Sequence, residues 1–259
     1  MASRWTADQW TFSQGRRKDV QISIREYRPS DQRAVAQLFR DGVREHIYPA
    51  FFKSMVHPDH VGVALSLSMA GYVLGGSSYF QALLFGAAWA GLIYFCCHEI
   101  YEGYLARRLG ADMADIWSSY TENPDNGFWV AEADGREPPR VVGVVAVIGR
   151  RAGDNANGRV ATGSADNEGG ATGELSLVVV AFPWRRKKMG SQLTQRALDF
   201  CKERGFARLA LDISSPQSGA ASLLRKLGFV QTSSHGVTHA NRLISILARI
   251  TVSRMEKVL

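Results

Sequence analysis

The stretch from Gly173 to Gly205 combines residue types that bind anions with the elements that would position them. Gly173 to Val180 is rich in β-branched residues and is followed by Pro183, which predicts a buried strand that ends before the proline. Four cationic residues come next: Arg185, Arg186, Lys187 and Lys188. Apolar residues then recur at helical spacing and end at a glycine typical of a helix C-terminus: Met189, Leu193, Ala197, Phe200, Cys201 and Gly205. Because free N–H groups and the helix dipole favour anions at a helix N-terminus, this unit predicts a phosphate site.

The cationic turn resembles the acetyl-coenzyme A signature of the GNAT N-acetyltransferases, R/Q-x-x-G-x-G/A after a strand. Here it reads Arg185-Arg186-Lys187-Lys188-Met189-Gly190, with Lys188 in place of the first glycine. Glycine permits a positive φ and a close approach of the backbone, so we expect Lys188 either to keep a negative φ or to store about 1 kcal/mol of strain. Its charge could still pair with a pyrophosphate. The alternative interpretation is a solvated cationic turn that binds nothing.

A second GNAT pattern, N-x-x-A-x-x-L-Y-x-x-x-G-F, is matched at Ala220, Leu223, Gly228 and Phe229, with Leu224 in place of the tyrosine. The chain resembles more narrowly the camello-type, membrane-bound N-acetyltransferases, which include cysteine S-conjugate N-acetyltransferase. This resemblance covers residues of about 22 to 250 and rests on segments that occur in the same order: Ile24 to Tyr27, Gly42 to Ile47, Asp112 to Ile116, Phe128 to Glu132, Val142 to Val145, Gly173 to Ser176 and Gln217 to Ala220.

The resemblance implies an α/β protein with the GNAT acyltransferase fold, a mixed central sheet flanked by helices, and acetyl-CoA as co-substrate. Glu174 lies six residues before Val180, the spacing at which several GNAT lysine acetyltransferases carry a catalytic glutamate, and is our candidate base. The backbone N–H groups of Val178, Val179 and Val180 would hold the thioester carbonyl and the pantetheine arm. The residues expected at the pyrophosphate are Arg185, Arg186, Lys187, Lys188, Met189, Gly190 and Ser191.

The predicted activity is the transfer of acetyl from acetyl-CoA to the amine of a cysteine S-conjugate or a protein lysine. The usual proton donor is absent at Leu224, but a cysteine-like thiol has a pKa of about 8.5, so its thiolate can leave without a dedicated acid. We therefore expect a slower enzyme. The departures at Lys188 and Leu224 keep open a second class, a GNAT-fold membrane protein with weak or no activity and a binding or regulatory role.

The second informative stretch runs from Val61 to Cys97, 37 residues without a charged side chain. One crossing takes about 20 apolar residues, so this length predicts a membrane helical hairpin that turns near Gly75-Gly76-Ser77-Ser78. The strand and helix before residue 50 must pack on strands formed after residue 125. Both flanks therefore lie on one side of the bilayer, which requires two crossings or a re-entrant wedge. Flanking basic residues predict that this side is the cytosol: Arg40, Arg44, Lys53, Arg107 and Arg108.

The predicted organisation is a mobile tail at 1–20, the first strand and helix of the GNAT domain at 21–56, the hairpin at 57–99, and the rest of the domain at 100–259. Residues 99–121 are expected to continue as one helix, and 151–172, poor in apolar residues, to form a disordered loop. The resemblance places the protein in the endoplasmic reticulum membrane, in contact with lipid.

The remaining chemistry excludes several classes of partner. The formal net charge of +7 suggests acidic partners, but no nucleic-acid-binding motif accompanies it, so a DNA-binding regulator ranks last and no nucleic acid is expected. His57, Asp59 and His60 invite a metal interpretation, yet a polar cluster where the chain enters a membrane explains them better, and we predict no metal site. Three cysteines make no disulfide framework and fit a reducing compartment.

Overall fold

A computed structural model describes residues 22–133, 140–151 and 171–259. The predicted tail at 1–20 and most of the predicted loop at 151–172 lie outside these ranges. The described residues form one mixed sheet of seven strands in the order β1-β2-β3-β4-β5-β7-β6. The strands are β1 Ile22–Glu26, β2 Gly127–Ala133, β3 Arg140–Arg150, β4 Thr172–Val180, β5 Arg208–Ser214, β6 Val230–His235 and β7 Val252–Val258. Only the β4–β5 pair is parallel.

Eight α-helices surround the sheet in the described part of the chain: α1 Gln32–Arg44, α2 Ile47–Met55, α3 Pro58–Leu74, α4 Tyr79–Leu109, α5 Ile116–Tyr120, α6 Met189–Glu203, α7 Ser218–Lys226 and α8 Arg242–Ala248. The predicted fold class, α/β with a mixed sheet flanked by helices, is confirmed. One boundary is wrong: the helix expected over 99–121 stops at Leu109, and α5 begins only after Asp115, whose carboxylate accepts a hydrogen bond from the Ser118 N–H. Gly110, a poor helix former, and this N-cap account for the break.

Each face of the sheet has its own core. On one face lie α1 and the second half of α4, which bury Phe39, Ile93 and Leu105 among other side chains. On the other face lies α6, which buries Leu193 and Phe200 among others. The predicted apolar positions of α6 are therefore confirmed as core positions. The sheet separates two layers of the protein, the α4 side and the α6 side.

Helices α3 and α4 are joined at the predicted turn, Gly75 to Ser78, and pack against each other. Of the described helices, α4 alone is both long and apolar enough to cross a membrane, with only 17% of its most apolar window buried inside the protein. Its first half projects with α3, whereas its second half, from Ile93 onwards, packs into the domain. One helix thus connects the apolar projection directly to the core beneath the sheet.

Candidate active site

Strands β4 and β5 separate in the middle of the sheet. They pair only from Thr172 to Glu174, with Arg208 to Ala210 opposite. Beyond this point β4 stays paired with β3 as far as Val180, and β5 stays paired with β7 as far as Ser214. The two strands thus lose their mutual hydrogen bonds while each keeps its outer neighbour. This opening, the β4–β5 gap, exposes backbone N–H and C=O groups inside a folded sheet.

Two of the three predicted backbone donors face the gap. The N–H of Ala181 donates to the carbonyl of Val142 at 2.8 Å and so points toward β3. Successive residues of a strand direct their N–H groups to opposite sides, so Val178 and Val180 point into the gap, whereas Val179 points toward β3. The Val180 carbonyl accordingly accepts a hydrogen bond from Arg185 Nε at 3.0 Å. The geometry thus supports Val178 and Val180 as donors to a ligand but not Val179.

The cationic turn lies between the end of β4 and the start of α6. The first helical hydrogen bond of α6 runs from the Gln192 N–H to the Lys188 carbonyl, so the N–H groups of Met189, Gly190 and Ser191 precede it and are available to an anion. The Met189 side chain is buried beneath the helix and serves as a core anchor. Three exposed cations border the same helix end: Arg186, Lys187 and Lys188.

Arg185 forms a hydrogen bond and an ion pair within the described part of the fold. Besides the Val180 carbonyl, it forms an ion pair with Glu45, just beyond the end of α1. Its guanidinium also lies 5.6 Å from the centre of the Phe182 ring. Arg185 therefore ties the end of β4 to α1, and it borders a cavity of about 550 Å³ between α1 and the turn. This placement favours a role in shaping the turn over direct pairing with a pyrophosphate.

Lys188 adopts the conformation that its position in the signature reserves for glycine, with φ 61° and ψ 6°. A left-handed conformation costs a residue with a side chain about 1 kcal/mol or more. We expect Lys188→Gly to raise the free energy of unfolding by about 0.5–1 kcal/mol, after allowance for the greater freedom of glycine in the unfolded chain. The thermal midpoint in detergent should rise by about 2–4 °C per kcal/mol. Lys187→Gly, where φ is not positive, is the control and should lower it. Equal changes in the thermal midpoint for both variants would show that Lys188 is not strained.

Glu174 stands at the closed end of the gap and projects toward the α4 side. The space beside Gly173 is filled by Cys201 and Leu209 from the α6 side, so the next side chain along the strand points to the opposite face. Glu174 pairs with Arg150 through a contact of 2.6 Å and is 28% exposed. The side chain thus lies at the closed end of the gap, and it is held by an arginine, as expected of a carboxylate that forms only a structural ion pair.

A pocket of about 670 Å³ lies on this same face and is called the α4 pocket here. Asp212 and Ser214 of β5 form part of its wall, on the same side of the strand as Ala210, the neighbour of Glu174. The pocket mixes apolar, cationic and hydroxyl groups, including Val43, His46, Tyr101, Arg107, Thr238 and His239. It is large enough for a small organic molecule. The sequence offered no signal for it, because its walls come from distant segments.

His46, which lines this pocket, makes the stability of the fold depend on pH. Burial lowers the pKa of its imidazole below the ordinary 6.5, Glu45 opposes the shift, and Arg185 adds to it. The unfolded chain therefore binds a proton at His46 at a higher pH than the folded chain does. The neutral His46 contributes fully to stability above about pH 6.5, the pKa in the unfolded chain, and this contribution is lost as the pH falls through the lower pKa of the folded chain. We expect the thermal midpoint to drop less between pH 7.5 and 5.5 in His46→Gln than in the wild type. Parallel drops would rule out His46 as the source.

A buried polar cluster supports β4 where the gap opens. Ser176 is the extra residue of a β-bulge, and its hydroxyl lies 2.9 Å from both Arg108 Nη2 and the Tyr120 hydroxyl. Asp112 completes the cluster through a 2.7 Å contact with Arg108 and a 2.5 Å bond from Tyr120. Burial raises the pKa of Tyr120, and the Asp112 carboxylate raises it further. Sequence reasoning used Arg108 only as a flanking charge; its spacing of four from Asp112 was the available signal for the pair.

Comparison with known proteins agrees with this geometry. The model of the acetyltransferase (GNAT) family matches residues 94–229, more than half of the chain. The chain belongs to the GNAT acetyltransferase family. It is 29% identical over 213 residues to the "Probable N-acetyltransferase camello" of Xenopus tropicalis, covering 80% of this chain and 85% of that protein. It is also 29% identical over 223 residues to N-acetyltransferase 8F1 of Rattus norvegicus, covering 86% and 92%.

Among solved structures, a GNAT acetyltransferase from Streptococcus pneumoniae is similar, with a TM-score of 0.46 and 15% identity over 92% of this chain and all of that one. The match to the family model and the similarity to the Xenopus and Rattus proteins confirm the resemblance to camello-type GNAT proteins, and with it the prediction of an acyltransferase enzyme that uses acetyl-CoA as co-substrate. The residues fit such a ligand, since a cation-bordered helix start can take phosphates while the gap offers backbone donors to an extended arm. Leu224, at the position where the GNAT pattern has tyrosine, is buried in the α6-side core.

Proposed function

We propose that this GNAT protein is a membrane-anchored N-acetyltransferase that transfers the acetyl group of acetyl-CoA to an amine. The observation that carries the proposal is the β4–β5 gap, with unpaired strand donors at its open end, a cationic helix N-terminus beyond them and a carboxylate at its closed end. An extended thioester laid along such a gap meets all three in order. In this arrangement the phosphates of acetyl-CoA lie on the α6 side of the sheet, and the acceptor amine approaches from the α4 side.

The cofactor-binding roles follow from the available groups. The N–H groups of Met189, Gly190 and Ser191 would bind the pyrophosphate, with Arg186, Lys187 and Lys188 as its counter-charges. The N–H groups of Val178 and Val180 would hold the pantetheine arm and polarise the thioester carbonyl. Arg185 would act indirectly, by holding the turn against Glu45 and the Val180 carbonyl. Val179, which the sequence also suggested as a donor, would not bind the arm because its N–H points toward β3.

The reaction needs one base and no separate acid. The acceptor amine attacks the thioester carbonyl carbon, a C–N bond forms, and the C–S bond then breaks to release the coenzyme thiolate. Glu174 would take the proton from the amine nitrogen through a water molecule, since its side chain projects to the same face of the sheet as the α4 pocket but does not line it. The thiolate is a tolerable leaving group at neutral pH, which offsets the missing tyrosine at Leu224.

The α4 pocket is the proposed acceptor site. It opens on the face toward which Glu174 projects, and it carries both cationic and apolar groups, which suits an amine with an anionic group and an apolar part. A cysteine S-conjugate has these features, and a protein lysine flanked by acidic residues is the other acceptor we propose. Arg107 and His239 would meet the anionic group, whereas Val43 and Ile250 would contact the apolar part.

The α3–α4 hairpin is the proposed membrane anchor, with the catalytic domain on the cytosolic side of the endoplasmic reticulum. The apolar, mostly exposed first half of α4 supports the anchor. The basic residues that flank the hairpin support the orientation, because positive charge remains on the cytosolic side. Lipid is therefore a partner of the protein in this proposal, alongside the coenzyme and the amine.

A second candidate function is a GNAT-fold membrane protein that binds ligands but transfers acetyl weakly or not at all. The ion pair between Glu174 and Arg150 favours it, because the guanidinium occupies a carboxylate oxygen that would otherwise accept the proton. The left-handed Lys188 and the buried Leu224 point the same way. These features bear on the rate of transfer and on affinity, so binding and turnover must be measured separately.

Isothermal titration of the detergent-solubilised protein with acetyl-CoA tests the first step. We expect saturable binding, weakened several-fold in Arg186→Gln/Lys187→Gln, whereas Arg196→Gln/Lys202→Gln on the same helix, away from its N-terminus, is the charge-matched control. Absence of binding at millimolar ligand would refute the proposed enzyme. An acceptor screen with a free-thiol readout then separates the two candidates: binding without thiol release for any cysteine conjugate or lysine peptide favours the second.

A further inference from the structure

The projecting part of the hairpin, called the arm here, runs from Val61 to Leu92. Its side chains are exposed or half-buried throughout, apart from Gly71, and burial begins again at Ile93. No charged residue occurs in it. Exposed side chains up to Leu74 on α3 and from Tyr79 on α4 are large and apolar, including Leu65, Met69, Val73, Phe80 and Leu83. The arm therefore presents apolar surface around both helices, which suits lipid on every side.

The arm is too short to cross a bilayer. About 14 residues of α3, from Val61 to Leu74, and about 14 of α4, from Tyr79 to Leu92, lie beyond the domain. At 1.5 Å per residue, each helix reaches about 21 Å from the protein. The hydrocarbon core is about 30 Å thick, and one leaflet accounts for about half of that. If the arm starts at the membrane surface, its tip thus lies inside the hydrocarbon core, a little beyond the midplane, and does not reach the opposite surface.

The turn at the tip closes the end of α3 with its own hydrogen bonds. The N–H groups of three of its residues have partners within the hairpin: Gly75 donates to Gly71, Gly76 to Val73 and Ser77 to Tyr72, at 3.0, 3.3 and 2.9 Å. These bonds satisfy carbonyl groups at the end of α3 without water. The tip also lacks the charged residues that would hold a loop in water.

Exposed apolar side chains continue at the base of the arm. Helices α2 and α8 both pack against α4, and Ser54 of α2 donates to the Leu247 carbonyl of α8. Their outer faces carry Phe52, Val56, Leu243 and Ile246, each more than half exposed; these four residues are called the shelf. Arg249, just after α8, pairs with Asp59 at the start of α3, so the shelf is fastened to the arm. Lys53 and Arg242 supply positive charge beside it, as anionic lipid headgroups require.

From these observations we infer that the hairpin is a re-entrant wedge that enters the bilayer from one side without crossing it, while the shelf lies in the interface of that same side. The inference rests on the proposed membrane anchoring and adds its depth and its second contact surface. The occupant of both surfaces is lipid. The α4 pocket, lined by residues 237 to 240 immediately before α8, then opens close to the membrane surface.

Depth-dependent fluorescence quenching tests the inference. Single cysteines at Ser77 on the tip, Ile246 on the shelf and Ser234 on exposed β6 are labelled with a small fluorophore in the full chain. The native thiols are buried, so wild type treated in the same way is the blank. Each variant is reconstituted in sealed phosphatidylcholine–phosphatidylserine vesicles that carry nitroxide labels either near the bilayer centre or at the headgroup, and iodide is added outside or trapped inside.

We expect the Ser77 probe to be quenched at least twofold more by central than by headgroup nitroxides and to be unaffected by iodide on either side. The Ile246 probe should show the reverse preference for nitroxides, and the Ser234 probe should respond only to iodide. Quenching of Ser77 by iodide from one side would overturn the wedge, and so would its insensitivity to all quenchers, which means a protein partner covers the arm. An Ile246 probe that responds only to iodide would overturn the shelf. Acetyl transfer measured in detergent before reconstitution reports separately on the proposed enzyme.

Discussion

Replacement of Glu174 by glutamine is expected to lower kcat for acetyl transfer about 100- to 10,000-fold, the usual contribution of a general base. The substitution keeps the size and hydrogen-bonding geometry of the side chain but removes its ability to accept a proton at neutral pH. Binding of acetyl-CoA should change little, because the carboxylate lies at the closed end of the gap, away from the α6 N-terminus. Steady-state release of free thiol with a saturating amine, together with titration calorimetry, separates the two effects.

Two further variants distinguish a base from a structural ion pair. Glu203→Gln is the matched control, since Glu203 also contacts an arginine, Arg196 at 3.4 Å, but lies at the far end of α6 and should keep wild-type kcat. Arg150→Gln releases Glu174 from its partner and should retain activity. If Glu174→Gln and Arg150→Gln changed stability equally while leaving thiol release intact, Glu174 would be an ion-pair residue without a catalytic role.

Replacement of Arg108 by methionine is expected to lower the free energy of unfolding by about 3–5 kcal/mol, the cost of removing one partner from a buried ion pair. The guanidinium is only 16% exposed and contacts Asp112 and Ser176, which would both lose a charged partner. Because Ser176 forms the bulge where β4 leaves β5, we also expect KM for acetyl-CoA to rise. Chemical denaturation in detergent measures the first effect, and initial rates measure the second.

The neighbouring Arg107 provides the control on the same helix. It is exposed, so Arg107→Met should change stability by less than about 0.5 kcal/mol while weakening any acceptor that the α4 pocket binds. A second check removes both charges: Arg108→Met/Asp112→Leu should be less destabilised than Arg108→Met, since no buried charge is left unpaired. A double variant as unstable as the sum of the two single variants would show that the ion pair is not the source of the loss.

In the proposed membrane-bound enzyme, helix α4 would connect the membrane anchor to the acceptor pocket. Its first half forms one side of the arm, and its second half supplies Tyr101 and Arg107 to the α4 pocket and Arg108 to the cluster beneath Ser176. A helix is stiff over this length, so if the arm is inserted as proposed, forces on it from the bilayer would reach these side chains through α4. We therefore expect the lipid environment to affect KM for the acceptor more than KM for acetyl-CoA, whose phosphate site is on α6.

Local patterns in the sequence determined the elements and their chemistry. The β-branched run ending before Pro183, the helical spacing after Met189 and the glycine at residue 205 are short-range signals, and β4 and α6 have nearly the predicted bounds. The uncharged stretch from Val61 to Cys97 likewise determined a helical hairpin with its turn at Gly75. Such features depend on neighbouring residues, so a single chain reveals them.

Other features were decided only in the folded chain, because they depend on which distant groups meet. Pairing with β3 directs the Val179 N–H away from the gap, and the left-handed Lys188 shows that the turn imposes its conformation on a residue ill-suited to it. Arg185 forms an ion pair with Glu45, 140 residues away in the sequence, and Glu174 forms one with Arg150, 24 residues away. The length of apolar helix outside the domain could likewise not be predicted from composition: the domain packs around α4 from Ile93 onwards, which leaves about 14 exposed or half-buried residues on α4 before it.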